Sequence, residues 1–265
     1  MKNWLLSGFV VACLAILVFS HQQYQNKLDT IASSSTDVTD GFSEDSGEGD
    51  NKHSTDDSSE VGDSEISSDS LVSEILEGED TLRVAIFGSD ALGGDHTYAW
   101  PHLLEEHLLE WLGDNQVELT TTEVDLVASS TIVHADFVSE LLESEPNLLI
   151  IEPLVLNNVR VFGTIDVQET LNDLHELIQL IDAQAPDLTV VVTPSNPIHN
   201  PTTYDQDIAA LEAFAASENY LYANHWQAWP DPHADEMKDY LSEGRPNEAG
   251  HQVWAEYIFD YLTRE

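Results

Sequence analysis

Basic residues are scarce in this sequence: 8 Lys and Arg stand against 50 Asp and Glu, for a formal net charge of -42. Beyond position 80 the cations are Arg83, Arg160, Lys238, Arg245 and Arg264, widely spaced along the chain. Nucleic acids and anionic lipid surfaces are bound by clustered Lys and Arg that replace counterions. Both are therefore excluded as partners. An acidic excess this large keeps a protein soluble at the cost of self-repulsion, as in salty or alkaline surroundings. Cysteine is nearly absent too. Cys13 stands alone, inside an apolar run, so the remainder of the chain has neither disulfide nor thiol chemistry. Glycine is missing between Gly113 and Gly163, and apolar residues are thin from 21 to 80.

What is present divides the chain into three. Lys2 precedes 16 residues without a charge, Trp4 to Phe19, a positive n-region followed by an apolar segment. That length is just under the roughly 17–25 residues of a spanning helix. Segment 1–20 therefore fits an uncleaved signal anchor, a cleaved signal peptide ending near Val18-Phe19-Ser20, or a lipoprotein signal at Val10-Val11-Ala12-Cys13. All three place the bulk of the chain outside the cytoplasm, attached to the membrane or secreted. Residues 21–80 read as a disordered acidic stalk of Ser, Asp, Glu and Gly, because low hydrophobicity with high like charge cannot offset chain entropy. A short helix is expected at Leu71–Leu76. Residues 81–265 hold enough Leu, Ile, Val and Trp for one core.

Within 81–265, short continuous apolar runs alternate with helical periodicity. Strands are expected at Leu82–Phe87, Val117–Val124, Leu148–Ile151, Leu188–Val192 and Tyr220–Tyr222. Helices are expected near Tyr98–Leu112, Ile132–Leu142, Val167–Ala183, Tyr204–Ala216 and Asn247–Leu262. Apolar strands alternating with helices imply an α/β fold, a three-layer α/β/α sandwich around a parallel, flavodoxin-like sheet. Ligands in such sheets bind at the carboxyl ends of the strands. The loops after Phe87, Ile151, Val192 and Tyr222 are thus the segments to search.

Two candidate sites there lack the required pattern. The loop Gly88–Gly94 has no P-loop Lys, no Gly-x-Gly-x-x-Gly, and carries Asp90 with Asp95 following, so no nucleotide cofactor is expected. His225, Asp231, His233 and Asp235 cluster in sequence without a recognised ligand spacing, so no metal is expected either. Trp226 and Trp229, beside His225, are candidates for stacking against a ligand.

Three stretches carry a resemblance. Val84-Ala85-Ile86-Phe87-Gly88-Ser89-Asp90-Ala91-Leu92 is a strand ending in Gly, two small polar residues and, shortly after, Leu. Pro146 through Asn158 is a strand running toward Asn-Asn, and Arg245-Pro246-Asn247-Glu248-Ala249-Gly250-His251 leads into the last helix. Together they resemble the SGNH (Gly-Asp-Ser-Leu) hydrolases over 82–263. The resemblance implies a Ser nucleophile, a His base oriented by an Asp three residues earlier, and an oxyanion site of amides and an Asn side chain, acting on ester-bearing small molecules, glycans or lipids. Position by position, Asp90 stands where the nucleophile belongs, Arg245 where the His belongs, and Ser242 where its Asp belongs. The Gly of the second block has no counterpart, and Asn157 is retained.

Nucleophile and base must lie within hydrogen-bond reach, so Asp90 and Arg245 are expected to face each other as an ion pair in a vestigial site. The competing expectation is an active esterase using Ser89 one register early, with His251 (oriented by Glu248) or His225 as base.

Overall fold

The computed structural model describes residues 70–113, 116–159 and 166–264. The expectations for segment 1–20, and for the stalk up to residue 69, lie outside the described residues. Residues 70–80, which composition alone groups with the stalk, are part of the folded unit. Helix α1 (Leu71–Ile75) is capped by the Ser70 side chain, and Val72 is fully buried in the core. Four apolar residues (Leu71, Val72, Ile75 and Leu76) in an acidic, Ser-rich stretch suffice for a short helix to dock, whatever the average composition says.

Five strands follow: β1 (Leu82–Ser89), β2 (Val117–Val124), β3 (Leu148–Ile151), β4 (Thr189–Val192) and β5 (Leu221–Tyr222), all parallel in the order β2-β1-β3-β4-β5. The central strand β3 is buried at all four positions, which is why it reads as Leu-Leu-Ile-Ile without alternation. At the edge, β2 alternates and exposes its threonines and glutamates. Helices α2 (Trp100–Leu112), α3 (Ala135–Leu141), α4 (Val167–Gln184), α5 (Tyr204–Glu218) and α6 (Glu248–Thr263) make the crossovers and cover both faces.

Because strand side chains alternate, the sheet divides the core in two. Val84, Ile86, Leu148 and Ile150 point to a layer made by α1, α2 and α6, where Trp100 and Trp254 stack at 5.0 Å. Ala85, Phe87, Leu149 and Ile151 point to the other, made by α3, α4 and α5 with Leu174, Ile178 and Leu211. This is the expected three-layer sandwich. A two-stranded antiparallel ribbon, β6 (Leu241–Ser242) and β7 (Arg245–Pro246), leads into α6. Asn247 caps that helix by accepting from the Gly250 amide at 3.2 Å. Gly250 is required by close approach: a Cβ there would lie 2.4 Å from the Tyr240 carbonyl oxygen and 2.8 Å from the Trp229 ring.

If α1 belongs to the core, Val72→Ala should lower unfolding stability by roughly 2 kcal/mol, from two buried methyl groups at ~0.8 kcal/mol each plus a residual cavity. Urea denaturation followed by tryptophan fluorescence measures this; no change would return residues 70–80 to the stalk.

Candidate functional site

The strand ends converge where a parallel sheet presents its ligands. Here lies a cleft of about 530 Å³, lined by Asp90, Asp95, His96, Tyr98, Glu123, Arg245 and His251 among others. It sits above β1 and β2 and under the β6–β7 ribbon.

At the tip of β1 the two candidate nucleophile positions part ways. Ser89 is 1% exposed, and its hydroxyl donates to Glu152 Oε2 at 2.9 Å while its amide donates to the same oxygen at 3.0 Å. It also caps the following 3-10 turn by accepting from the Ala91 amide. Gly88 makes room for this arrangement, since a Cβ there would come within 2.8 Å of Glu152 Oε2. Asp90, one residue on, lines the cleft. Arg245 from β7 donates through Nε to Asp90 Oδ2 at 2.7 Å, and through Nη2 to the same oxygen. The expected pair is therefore formed across 155 residues of sequence, and the carboxylate beside it holds the guanidinium pKa above its ordinary value.

The shifted register with Ser89 as nucleophile is corrected by these contacts. Its hydroxyl faces a carboxylate away from the cleft, and neither candidate imidazole bonds to it. His225 is fully buried: Nε2 donates to the Pro194 carbonyl at 2.9 Å, and Nδ1 accepts from Trp229 Nε1 at 2.9 Å. Its ring stacks on Trp254 at 4.0 Å, and burial lowers its pKa to about 3, so it is a neutral core residue. His251 accepts the Trp100 amide proton on Nδ1 at 3.2 Å, so Glu248, which is exposed, does not orient it. Burial, with His96 nearby, lowers the His251 pKa to about 4. The ring is thus neutral at neutral pH with its proton on Nε2, and the residue is part of the cleft lining.

The two tryptophans are also corrected. Trp229 is buried against His225 and Gly250, and Trp226 bonds the Ser195 carbonyl at 2.7 Å and packs edge-on against Tyr204. Neither lines the cleft, and both hold the loop after β5 onto the sheet. Asn157 is 6% exposed and donates to the Val127 carbonyl at 3.4 Å. It does not line the cleft, so the arrangement gives it no oxyanion partner there. Its neighbour Asn158 is structural, joining Ser129 to Thr170.

Glu152 is the residue that sequence reasoning passed over. An acid directly after four buried apolar residues and before Pro153 was the available signal, since it must end the central strand inside the molecule. Burial raises its pKa to about 6, against the opposing pull of the Ser89 amide and the Ser195 and Ser89 hydroxyls. Glu123, at the end of β2, was missed as well. It accepts from the Gly94 amide at 2.8 Å, and burial raises its pKa, with Asp90, Asp125 and Asp95 adding repulsion.

Because folding raises the Glu152 pKa from 4.5 to about 6, the native state holds this proton more tightly than the unfolded chain does. Its ionisation thus costs stability as pH rises through about 6, and the cost is absent below 4.5. Glu152→Gln can keep accepting from Ser89 and carries no charge. It should be ~2 kcal/mol more stable than the parent at about pH 8, with the gain fading below pH 6. Urea titrations across pH check this; a pH-independent difference would sink it.

No protein-family profile matches the sequence. No curated protein matches it either. Solved structures do. A lipolytic protein of the G-D-S-L family from Desulfitobacterium hafniense DCB-2 superposes with a TM-score of 0.56 at 15% identity, covering 69% of this chain and 100% of that one. A carbohydrate esterase of family 3 from Talaromyces cellulolyticus gives 0.54 at 14% identity, covering 69% and 96%. A psychrotrophic esterase from a Pseudoalteromonas species gives 0.51 at 17% identity, covering 68% and 96%. Such likenesses speak for architecture, and the chain has the fold of the SGNH, or G-D-S-L, hydrolases.

Proposed function

We propose that this chain is a membrane-tethered, extracytoplasmic member of the SGNH hydrolase type that binds an ester-bearing glycan, lipid or small molecule in the cleft without turning it over. The observation that carries this reading is the Asp90–Arg245 ion pair at the head of the cleft.

The chemistry follows from what those groups cannot do. Acyl transfer by a hydroxyl requires a base that takes its proton and returns it to the leaving group. A guanidinium stays protonated throughout the working pH range and has no lone pair to offer. The Asp90 carboxylate is tied down through Oδ2 by two guanidinium nitrogens, which draws off its charge and weakens it as a nucleophile. His251 has its lone-pair nitrogen, Nδ1, occupied by the Trp100 amide, and Ser89 is turned into the protein. The esterases among the structural neighbours support the ligand class, and the apolar segment Trp4–Phe19 supports the tether.

A nitrophenyl acetate assay on the full chain should give hydrolysis at the buffer rate, unchanged by Ser89→Ala. Turnover well above buffer that Ser89→Ala abolishes would overturn the reading and establish an esterase.

A further inference from the structure

The β6–β7 ribbon supplies one wall of the cleft. Ser242, Glu243, Arg245 and Pro246 line it, together with Asp90, Asp95 and Glu123 from the side of β1 and β2. The two ends of this ribbon are built differently. At the base, Pro246 is buried, Tyr240 and Leu241 pack against the core, and the Asn247 amide donates to the Tyr240 carbonyl at 3.0 Å. Beyond the base the chain is a hairpin of two residue pairs, Leu241 with Pro246 and Ser242 with Arg245. Glu243 and Gly244 form its turn, with φ of 52° and 79°. A two-residue turn needs this left-handed pair to follow the twist of its strands, so the hairpin holds its shape and moves as one piece. Yet Ser242, Glu243 and Arg245 are exposed, and a two-stranded ribbon this short is not stable unaided. Where the tip rests depends on what it touches.

Among its ties to the body are two polar contacts. Asn196 Nδ2 donates to the Gly244 carbonyl at 3.2 Å and also to the Pro197 carbonyl at 2.8 Å. Arg245 donates to Asp90 Oδ2 through Nε at 2.7 Å and through Nη2. The second contact is charge-assisted on both sides and is the stronger. Its surroundings are one-sided in charge. Among the described residues that line the cleft, Arg245 is the one Lys or Arg, and Asp125 and Glu243 act on its guanidinium as well as Asp90. Glu243 belongs to the tip, whereas Asp90, Asp95 and Glu123 belong to the body. With Arg245 in place the tip is drawn to the body. Without it, acids remain on both and repel.

We propose that the ribbon is a lid on the cleft and that the Arg245–Asp90 pair is its latch. Opening carries Ser242 to Arg245 away from Asp90 while the buried base stays in place, and the cleft loses one wall. A pair with the 46% and 18% side-chain exposure of these two residues shifts an equilibrium by at most about fivefold. That is too weak to lock a fold and suited to a gate, since moving elements come from the least stable parts of a structure. The lid governs entry to the cleft, so it goes beyond the function proposed above and holds for a binder and an esterase alike.

Hydrogen–deuterium exchange of the full chain in mild detergent, read by mass spectrometry, tests the latch. Arg245→Gln and Asp90→Asn should each speed exchange in peptides covering 241–247 by about three- to fivefold, with peptides of β3 unchanged. Arg245→Lys keeps the charge and should stay nearer the parent than Arg245→Gln. Spin labels read the motion itself. In a Cys13→Ser background, labels on Ser242→Cys and Thr121→Cys should give one short separation, and Arg245→Gln should add a longer one. Unchanged exchange at 241–247 in both variants would overturn the latch. So would acceleration shared equally by β3, Arg245→Lys exchanging as fast as Arg245→Gln, or an unmoved distance. None of these results bears on ester turnover, and turnover does not bear on them.

Discussion

A carboxylate sealed from water at the end of the central strand fixes how the tip of β1 is presented. Glu152 Oε2 accepts both the amide and the hydroxyl of Ser89, and Gly88 leaves it the space to do so. Burying a charged group is expensive unless hydrogen bonds compensate, and here they compensate in part, as its raised pKa shows. The cost of the arrangement is what gives it consequence. Ser89 cannot rotate toward the cleft without abandoning an acid that has few other partners. With residue 89 drawn inward, residue 90 is the one delivered to the cleft.

From that placement the opposite wall follows. An aspartate at the mouth of an already acidic cleft gains from a cation, and the β6–β7 ribbon supplies Arg245 at the required height. The base of the ribbon is held by packing rather than by the ion pair: Pro246 is buried, Asn247 caps α6, and Gly250 lies directly beneath Tyr240 and Trp229. Beneath it, the stack of Trp100, Trp254 and His225 joins α2, α6 and the loop after β5 into one block. His225 and His251 are both neutral there for the same reason, burial, yet only His251 is part of the cleft lining.

The architecture was legible in the sequence because a parallel sheet covered on both faces leaves a strong signature. Strands β2 and β3 fall at the expected residues, and the helices differ by a few positions at their ends, where capping rather than periodicity decides. The site was legible only where a resemblance supplied the pairing. Nothing local connects Asp90 with Arg245, and the alignment of two family blocks brought them together. Ser89 and Glu152 are 63 residues apart with no such guide, so their bond could not be read. The tryptophans misled for a different reason: an aromatic residue in a loop has the same sequence signature whether its ring faces solvent or the core. Trp226 and Trp229 face inward because their indole N–H groups find Ser195 and His225 there. In the cleft, the aromatic wall comes instead from His96 and Tyr98, in a loop with no apolar pattern to single it out.

The ion pair at the cleft mouth has little to do with holding the fold together. The Arg245 side chain is 46% exposed, and pairs of this kind contribute about 0–1 kcal/mol, with salt reducing them further. The layers of Leu, Ile, Val and Trp on both faces of the sheet account for the folding stability, and they lie away from the mouth. A group that adds so little to stability, yet lines the cleft, acts on what the cleft can hold. Its effect is to hold one carboxylate of the cleft wall against a cation. The carboxylates of Asp95, Glu123 and Glu243 line the same cleft, so beyond the pair its wall carries more acid than base.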